Sequence, residues 1–227
     1  MDTSTWPAGF LIRDRVPGPD PTLLAELDGI PAAYVSDAMG KATGGVGLHA
    51  YGGPQIMCGP AITVRVRPGD NLMVHKSFDL AQAGDVIVVD AGGDLAQAII
   101  GGNMRATMRR KGIAGIVIDG AIRDLDEFAE GGFPAFAKGI CHRGPSKDGP
   151  GEINVPIACA GMVVHPGDIV IGDSDGVVTV QQADLPALVS AVKDVVHREE
   201  TLRHAIENDA TDPERFDSIL RAKGCPV

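Results

Sequence analysis

The chain has 227 residues, 44% of them apolar, with 30 glycines and only 4% aromatics; this excludes a disordered chain and points to an aliphatic, tightly turned α/β protein with one substantial core. A net charge of −10, with Arg109-Arg110-Lys111 as the only basic run, excludes a nucleic-acid surface, which needs a clustered basic excess. Cys58, Cys141, Cys159 and Cys225 lack C-x-x-C spacing, Met1 to Trp6 lacks a secretory pattern, and no apolar run is long enough to span a bilayer, so a soluble cytoplasmic protein is expected.

Residues 1–20, rich in Pro and polar groups, read as an N-terminal arm that either frays or lies on a neighbouring subunit. Asp20-Pro21-Thr22 opens a short helix through Leu23, Leu24 and Leu27, and Pro31 to Met39 forms a second, stopped at Gly40. Ser36-Asp37 on that helix fits either a pocket or a cap. Lys41 to Gly59 reads as glycine-rich loop, and Ala61 to Arg67 alternates as a half-buried strand should. Gly69-Asp70-Asn71 is a turn. His75 and Lys76 after it fit a pocket wall, but a lone His is more often structural, and His142 and His165 also lack a partner at metal-ligand spacing.

The stretch Val88 to Glu130 organises the rest. The apolar run Val86-Ile87-Val88-Val89 reads as a buried strand closed by Asp90 and the turn Gly92-Gly93. Gly101-Gly102 leads into a helix, Asn103 to Lys111, with cationic residues in its last turn and Gly112 as its stop. Gly115 to Asp119 is a second buried strand, followed by the turn Gly120-Ala121 and the charged cluster Arg123-Asp124-Leu125-Asp126-Glu127. Ligands collect where the strands of such a crossover end. Glycines before a helix let backbone N–H groups approach an anion, which the helix dipole favours. Arg123 can grip the same anion in a bidentate manner. Asp124 and Glu127, three residues apart, share one face of a helix starting there. Two carboxylates with no His or Cys nearby suit a hard divalent cation such as Mg²⁺ or Mn²⁺. The plainer alternatives are a simple loop at Gly101-Gly102 and a solvated helix start at Arg123 to Glu127.

Phe133 to Ala137 reads as a short strand, and Arg143 to Gly151 as a long glycine-proline loop of the kind that often carries function. Ile157 to Val164, Asp168 to Ile171 and Gly176 to Val180 are short strands, dense enough for a compact β-layer rather than a doubly wound sheet. From Asp184 the pattern is helical: Leu185, Leu188, Val189, Val192, Val195 and Val196 form a stripe ended by Glu199-Glu200. A last helix opens at Asp212-Pro213-Glu214. The whole chain, 1–227, reads as one domain with the arm at 1–20 and a helical tail from about 184 to 227 that suggests packing on a partner.

Gly102, twenty intervening residues and then Arg123-Asp124-x-x-Glu127 resemble a motif of the RraA-like family. The likeness extends from about Ser36 to Val180, through Ser36-Asp37-Ala38-Met39-Gly40, Gly69-Asp70-Asn71-Leu72, Gly84-Asp85-Val86, Ile153-Asn154-Val155-Pro156, Pro166-Gly167-Asp168 and Gly172-Asp173-Ser174-Asp175-Gly176-Val177-Val178. The resemblance implies an α/β fold, a swivelling β/β/α-type sandwich of packed β-layers flanked by helices. It also implies a divalent-metal-dependent, class II lyase that cleaves 4-hydroxy-2-oxo acids to pyruvate, with oxaloacetate decarboxylation as a neighbouring activity. Arg123 and Asp124 are then catalytic, Gly101, Gly102, Asn103, Met104 and Arg123 bind substrate, and Asp124, Glu127 and Glu199 hold Mg²⁺ or Mn²⁺. The aldolases of the family carry an acidic residue where Gly102 stands; other members have glycine there and an acidic residue three positions after the Asp, so Glu127 is taken as the replacement carboxylate. Family sites lie at subunit interfaces of a trimer or a hexamer, which makes Glu199, or alternatively Glu200, the contribution of a neighbour. Other proteins of the family are named as regulators of ribonuclease E, which makes a non-catalytic ribonuclease-binding role the alternative.

Overall fold

Three strand–helix–strand crossovers organise the computed structural model, which describes residues 6–53 and 56–227. The N-terminal part holds β1 (Phe10–Ile12), α1 (Pro21–Ala25), α2 (Ala32–Ala38) and β2 (His49–Ala50). The crossovers follow: β3 (Met57–Val66), α3 (Leu72–Leu80), β4 (Val86–Ile100), α4 (Gly102–Arg110), β5 (Gly115–Ile122), α5 (Leu125–Gly131) and β6 (Ala135–Ile140). Five short strands come next, β7 (Gly151–Ile153), β8 (Ile157–Cys159), β9 (Met162–Val164), β10 (Ile169–Asp173) and β11 (Gly176–Val180), and two helices end the chain, α6 (Leu185–Glu207) and α7 (Arg215–Ala222).

Strands β3, β4, β5 and β6 lie parallel and adjacent, in a nine-stranded mixed sheet whose main path runs β1-β7-β3-β4-β5-β6-β2. Met57 to Pro60 of β3 also pair antiparallel with β10, which pairs with β11, so one long strand joins two β-layers. The parallel strands are apolar on both faces. Ile62, Val64, Ile87, Val89, Ile116 and Ile118 pack with Met73, Phe78, Met108 and Phe128 from α3, α4 and α5. Ala61, Val86, Val88 and Val117 pack the opposite way, against Ile157, Cys159, Met162 and Val164 of the β8–β9 hairpin. A third cluster joins β10 and β11 to α2 and to the stripe Leu185, Leu188, Val189 and Val192 of α6. The order is therefore helices, sheet, second β-layer, helices, and near-continuous apolar strands are what a sheet covered on both faces requires. No helix among the described residues is long and apolar enough to cross a membrane.

Several expectations need correction. Ala61 to Val66 is buried almost throughout rather than half-buried; Thr63, whose polarity gave the alternation, is inside and donates from Oγ1 to Val155 O at 2.6 Å. Gly92-Gly93 and Gly120-Ala121 do not end their strands. β4 passes through left-handed Gly92 and Gly93 and stays paired with β5 by register shifts between Asp90/Asp94 and Ala98/Ile100, as bulges allow. Lys41 to Gly59 is not all loop, since it includes β2 and the start of β3; Pro54 and Gln55 lie outside the described residues. The first five residues of the expected arm also lie outside them, and the rest is tied to its own chain. β1 pairs with β7 in parallel, and Arg15 Nε donates to Asp85 Oδ2, a fully buried carboxylate, at 2.7 Å. The first half of α6 likewise packs on this chain, against α2, rather than on a partner.

The loop between β6 and β7 is fixed by one buried side chain. Asp70, 1% exposed, accepts from Ser146 Oγ (2.7 Å), Asp148 N (2.7 Å) and Gly149 N (3.1 Å) at Oδ2 and from Leu72 N (2.9 Å) at Oδ1. Burial alone would raise its pKa, but these hydrogen bonds outweigh it and hold the carboxyl below its ordinary 3.8. A carboxyl whose pKa is lowered by folding contributes stability above its unfolded pKa and loses it as pH falls through the folded value. Asp70→Asn should therefore destabilise the protein at pH 7, and the gap from wild type should close as pH drops below about 4. Urea unfolding at pH 7 and pH 3 checks this; a gap no smaller at pH 3 than at pH 7 would contradict it.

Candidate active site

The site begins where β4 ends. Gly101, extended at φ −148° and ψ −169°, caps α4 without a side chain, and the helix runs through Met104, Arg105, Ala106 and Met108 to left-handed Gly112. Gly102 N donates to Asp124 Oδ2 at 2.9 Å, and Met104 N turns back to Gly101 O at 3.1 Å. Asn103 N is then the helix-start donor with no protein acceptor among the described residues, free for an anion where the dipole is favourable.

Arg123 and Asp124 follow β5. Asp124 sits in the left-handed region at φ 61° and ψ 47°, a conformation that an Asp tolerates at some cost and that collects at functional sites. It turns the chain so that its carboxylate meets the Gly101-Gly102 backbone while α5 begins. Arg123 Nε stands 3.6 Å from Asp124 Oδ2, both side chains being 42% exposed, and Arg123 N donates to Ile100 O at 3.1 Å. Glu127, one turn into α5, puts its carboxylate where a side chain at Gly102 would be: a methyl group there would collide with the Glu127 oxygens, and one at Gly101 with Asp124 Oδ2. Arg105 lies behind, with Nη2 4.0 Å from Glu127 Oε2 and with Nε and Nη1 buried and without a partner among the described residues.

Gly101, Asn103, Met104, Arg123 and Asp124 border a cavity of about 240 Å³ that also takes in Asn71, His75, Pro145 and Lys147. Sequence reasoning set His75 aside and did not single out Asn71 or Lys147. Asn71 and His75 flank the first turn of α3, four residues apart, a spacing that puts them on one face; that was the available signal. Asn71 Nδ2 donates to Ile99 O at 2.8 Å, which fixes the amide, and its buried Oδ1 has no donor among the described residues. Desolvation, and then the charge of Lys147, push the His75 pKa below its ordinary 6.5, so the imidazole is neutral at pH 7.

The structure thus brings together Gly101, Gly102, Asn103, Met104, Arg123, Asp124 and Glu127. It does not bring Glu199 to them within one chain. Glu199 borders a different cavity, between α6 and residues 210–215, beside Arg198. Ser36 also lines a separate hollow, and His165 is occupied with Asp168. Among the described residues no group of three His, Cys, Asp or Glu has metal-binding geometry. The donor set nevertheless fits Mg²⁺ or Mn²⁺: Mg²⁺ keeps several waters and needs only one or two carboxylates from the protein, and Asp124 and Glu127 occupy the spaces that a Cβ at Gly101 and at Gly102, respectively, would fill.

Residues 32–179 match the family model for RraA-like proteins, described as aldolase/RraA. A relative from Halalkalibacterium halodurans, provisionally named a 4-hydroxy-4-methyl-2-oxoglutarate aldolase, is 38% identical over 181 residues, covering 79% of this chain and 86% of that one. A Thermus thermophilus protein named 4-hydroxy-4-methyl-2-oxoglutarate aldolase is 36% identical over 129 residues, covering 57% of this chain and 78% of its own. The crystal structure of Streptomyces coelicolor RraAS2, described as an unusual member of the RNase ES inhibitor RraA protein family, matches with a TM-score of 0.76 at 29% identity, covering 83% of this chain and 98% of that one.

The seat at Gly102 can be tested without an activity assay. Ala is the better helix former, so Gly102→Ala should be neutral or slightly stabilising in a Glu127→Ala background. In the wild-type background it must displace the Glu127 carboxylate, and the two substitutions should couple by about 1 kcal/mol. Urea unfolding of the four proteins of the cycle measures this; an equal effect of Gly102→Ala in both backgrounds would contradict the placement.

Proposed function

The chain belongs to the RraA-like family, and on that premise we propose that it is a divalent-cation-dependent carbon–carbon lyase, cleaving 4-hydroxy-2-oxo acids by a retro-aldol reaction that releases pyruvate. The observation that carries this reading is the meeting of Arg123 and Asp124 with the glycine start of α4 at one cavity, with the Glu127 carboxylate seated over Gly102 beside it. The names of the relatives from Halalkalibacterium halodurans and Thermus thermophilus support the substrate class.

Asp124 and Glu127 are the residues that would hold Mg²⁺ or Mn²⁺, with Glu199 of a neighbouring copy, or else Glu200, completing the set. Bound there, the cation supplies Lewis-acid polarisation of the 2-oxo group. Asn103 N–H and the start of α4 hold the substrate carboxylate. Arg123 directs its guanidinium to the 2-oxo oxygen. As the C4 hydroxyl passes its proton to a water and becomes a carbonyl, the C3–C4 bond breaks, its electron pair moves toward the 2-oxo oxygen, and Arg123 stabilises the developing charge of pyruvate enolate. Loss of carbon dioxide from oxaloacetate ends at the same enolate, so decarboxylation is a neighbouring activity of one site.

The assembly in this reading is a homotrimer or a hexamer with sites at subunit interfaces, in the cytoplasm, acting on a small-molecule substrate without nucleic acid or membrane. A second hollow, of about 360 Å³, lies beside Arg123 and Asp124, bordered by Ile140, Cys141 and His142, with Ile140 56% exposed. It is the face this reading gives to the neighbouring copy. The likeness to RraAS2 favours a second reading, a regulator that binds a ribonuclease. That role gives Asp124 no reason to hold a left-handed conformation against Gly102, and a ribonuclease captured without any metal-dependent turnover would favour it.

Two measurements test the lyase. Pyruvate release from 4-hydroxy-4-methyl-2-oxoglutarate and from oxaloacetate should stop with excess chelator and return with Mg²⁺ or Mn²⁺ better than with Zn²⁺; undiminished release under chelator would sink the metal dependence. Arg123→Lys keeps the charge but loses the planar fork. It should lower kcat about a hundredfold, the scale of one lost oxyanion donor, with metal affinity near wild type. A raised KM at unchanged kcat would show instead that Arg123 holds only the ground state.

A further inference from the structure

Arg105 stands at the start of α4, where the helix dipole disfavours a positive charge. Arg109 and Arg110, in the last turn, are exposed and suit that dipole; Arg105 does neither. Its side chain is only 12% exposed, and Nε and Nη1 are buried without a partner among the described residues. Burying a guanidinium is costly unless a counter-charge goes with it. The single carboxylate in ion-pair range of it among the described residues is that of Glu127, with Oε2 4.0 Å from Nη2. That is near enough for attraction and too far for a hydrogen bond.

Arg105 lies three residues after Gly102, a spacing that puts it on the face of α4 over which the Glu127 carboxylate sits. Glu127 is 56% exposed and can swing. A small movement closes the pair and gives the guanidinium the charge-assisted hydrogen bond it lacks. The same carboxylate is one of the two that would hold the divalent cation. A cation drawing on Glu127 meets a buried positive charge behind it, and the two repel. We infer that Arg105 competes with the divalent cation for Glu127, taking up the carboxylate when the cation leaves, so that occupancy of the site follows the free Mg²⁺ or Mn²⁺ concentration. This rests on the proposed reading of Asp124 and Glu127 as the cation's holders. Arg105 touches neither substrate nor cation in it; it is a positioning residue that acts through Glu127.

The test is a titration of Mn²⁺ followed by electron paramagnetic resonance, with no substrate present. Arg105→Met keeps a buried stem and removes the charge. It should bind Mn²⁺ at least about tenfold more tightly than wild type, the effect of one charge on a divalent ion across a carboxylate even under largely water-like screening. Arg105→Lys keeps the charge and should stay within about threefold of wild type. A merely structural role for Arg105 predicts a loss of affinity in Arg105→Met, not a gain. Unchanged or weaker binding there, or an equal gain in Arg105→Lys, would overturn the inference while leaving the cation reading standing. If wild type binds no Mn²⁺, binding gained in Arg105→Met would uphold the inference, and none in either protein would remove it together with that reading. Should Arg105→Met fail to melt cooperatively, wild type decides by nuclear magnetic resonance. The Arg105 Nε–H signal, assigned by its absence in Arg105→Lys, should move on saturation with Mg²⁺, and a signal that stays in place would overturn the inference.

Discussion

Asp124 Oδ2 accepts the N–H of Gly102 at 2.9 Å while the Glu127 carboxylate fills the space over the same residue; a side chain at Gly101 would push the Asp124 carboxylate aside, and one at Gly102 that of Glu127. Everything else at the site depends on this approach of two carboxylates to a bare helix start. The positive end of α4 offsets their mutual repulsion, and Arg123 at 3.6 Å and the buried Arg105 supply further positive charge. Asp124 reaches the position only by turning into the left-handed region at the junction of β5 and α5. A conformation of that cost persists where its surroundings over-determine it, and here they do. β4 and β5 are packed on both faces, with Ile99, Ile100, Ile118 and Ile122 fully buried beneath the two junctions.

The far wall of the cavity uses a different device. Arg123 and Asp124 are carried by the ends of buried strands, but Pro145 and Lys147 belong to a loop with no regular structure. One buried carboxylate, Asp70, substitutes for secondary structure by accepting hydrogen bonds from both the α3 start and the loop. Because those bonds are made to an ionised group in a buried setting, they are individually stronger than neutral ones. The cavity thus has one wall fixed by sheet packing and one fixed by a charge, both belonging to a single chain. Glu199 stands apart from this cavity, on the second half of α6 by another one.

Much of this was legible in the sequence because it is local. Gly101-Gly102 before cationic Arg109-Arg110 marks a helix and its bare start, and Arg123-Asp124-x-x-Glu127 marks the facing carboxylates, all within two successive crossovers. The stripe Leu185 to Val195 also reads correctly as a buried helix face. The misreadings share a cause: tertiary contacts override local pattern. Thr63 looks outward in an alternating run but finds Val155 O inside. Gly92-Gly93 has the composition of a turn but serves as a bulge because β5 continues alongside. The arm shows only the short apolar run Phe10-Leu11-Ile12, which packs on the core, and its other anchors, backbone pairing at β7 and the charge of Asp85, lie far away in sequence. Asn71 and Lys147 are joined by bonds between residues more than seventy positions apart, which no window of sequence displays.

The account stands on Asp124 and Glu127 as the holders of a divalent cation. Its most direct test is a titration of Mn²⁺ followed by electron paramagnetic resonance, which reads binding without any assumption about the substrate. Wild type should bind one Mn²⁺ per chain, Asp124→Ala should lose that binding, and Glu127→Ala should weaken it. Mn²⁺ bound equally well by wild type and Asp124→Ala would contradict the account at its centre.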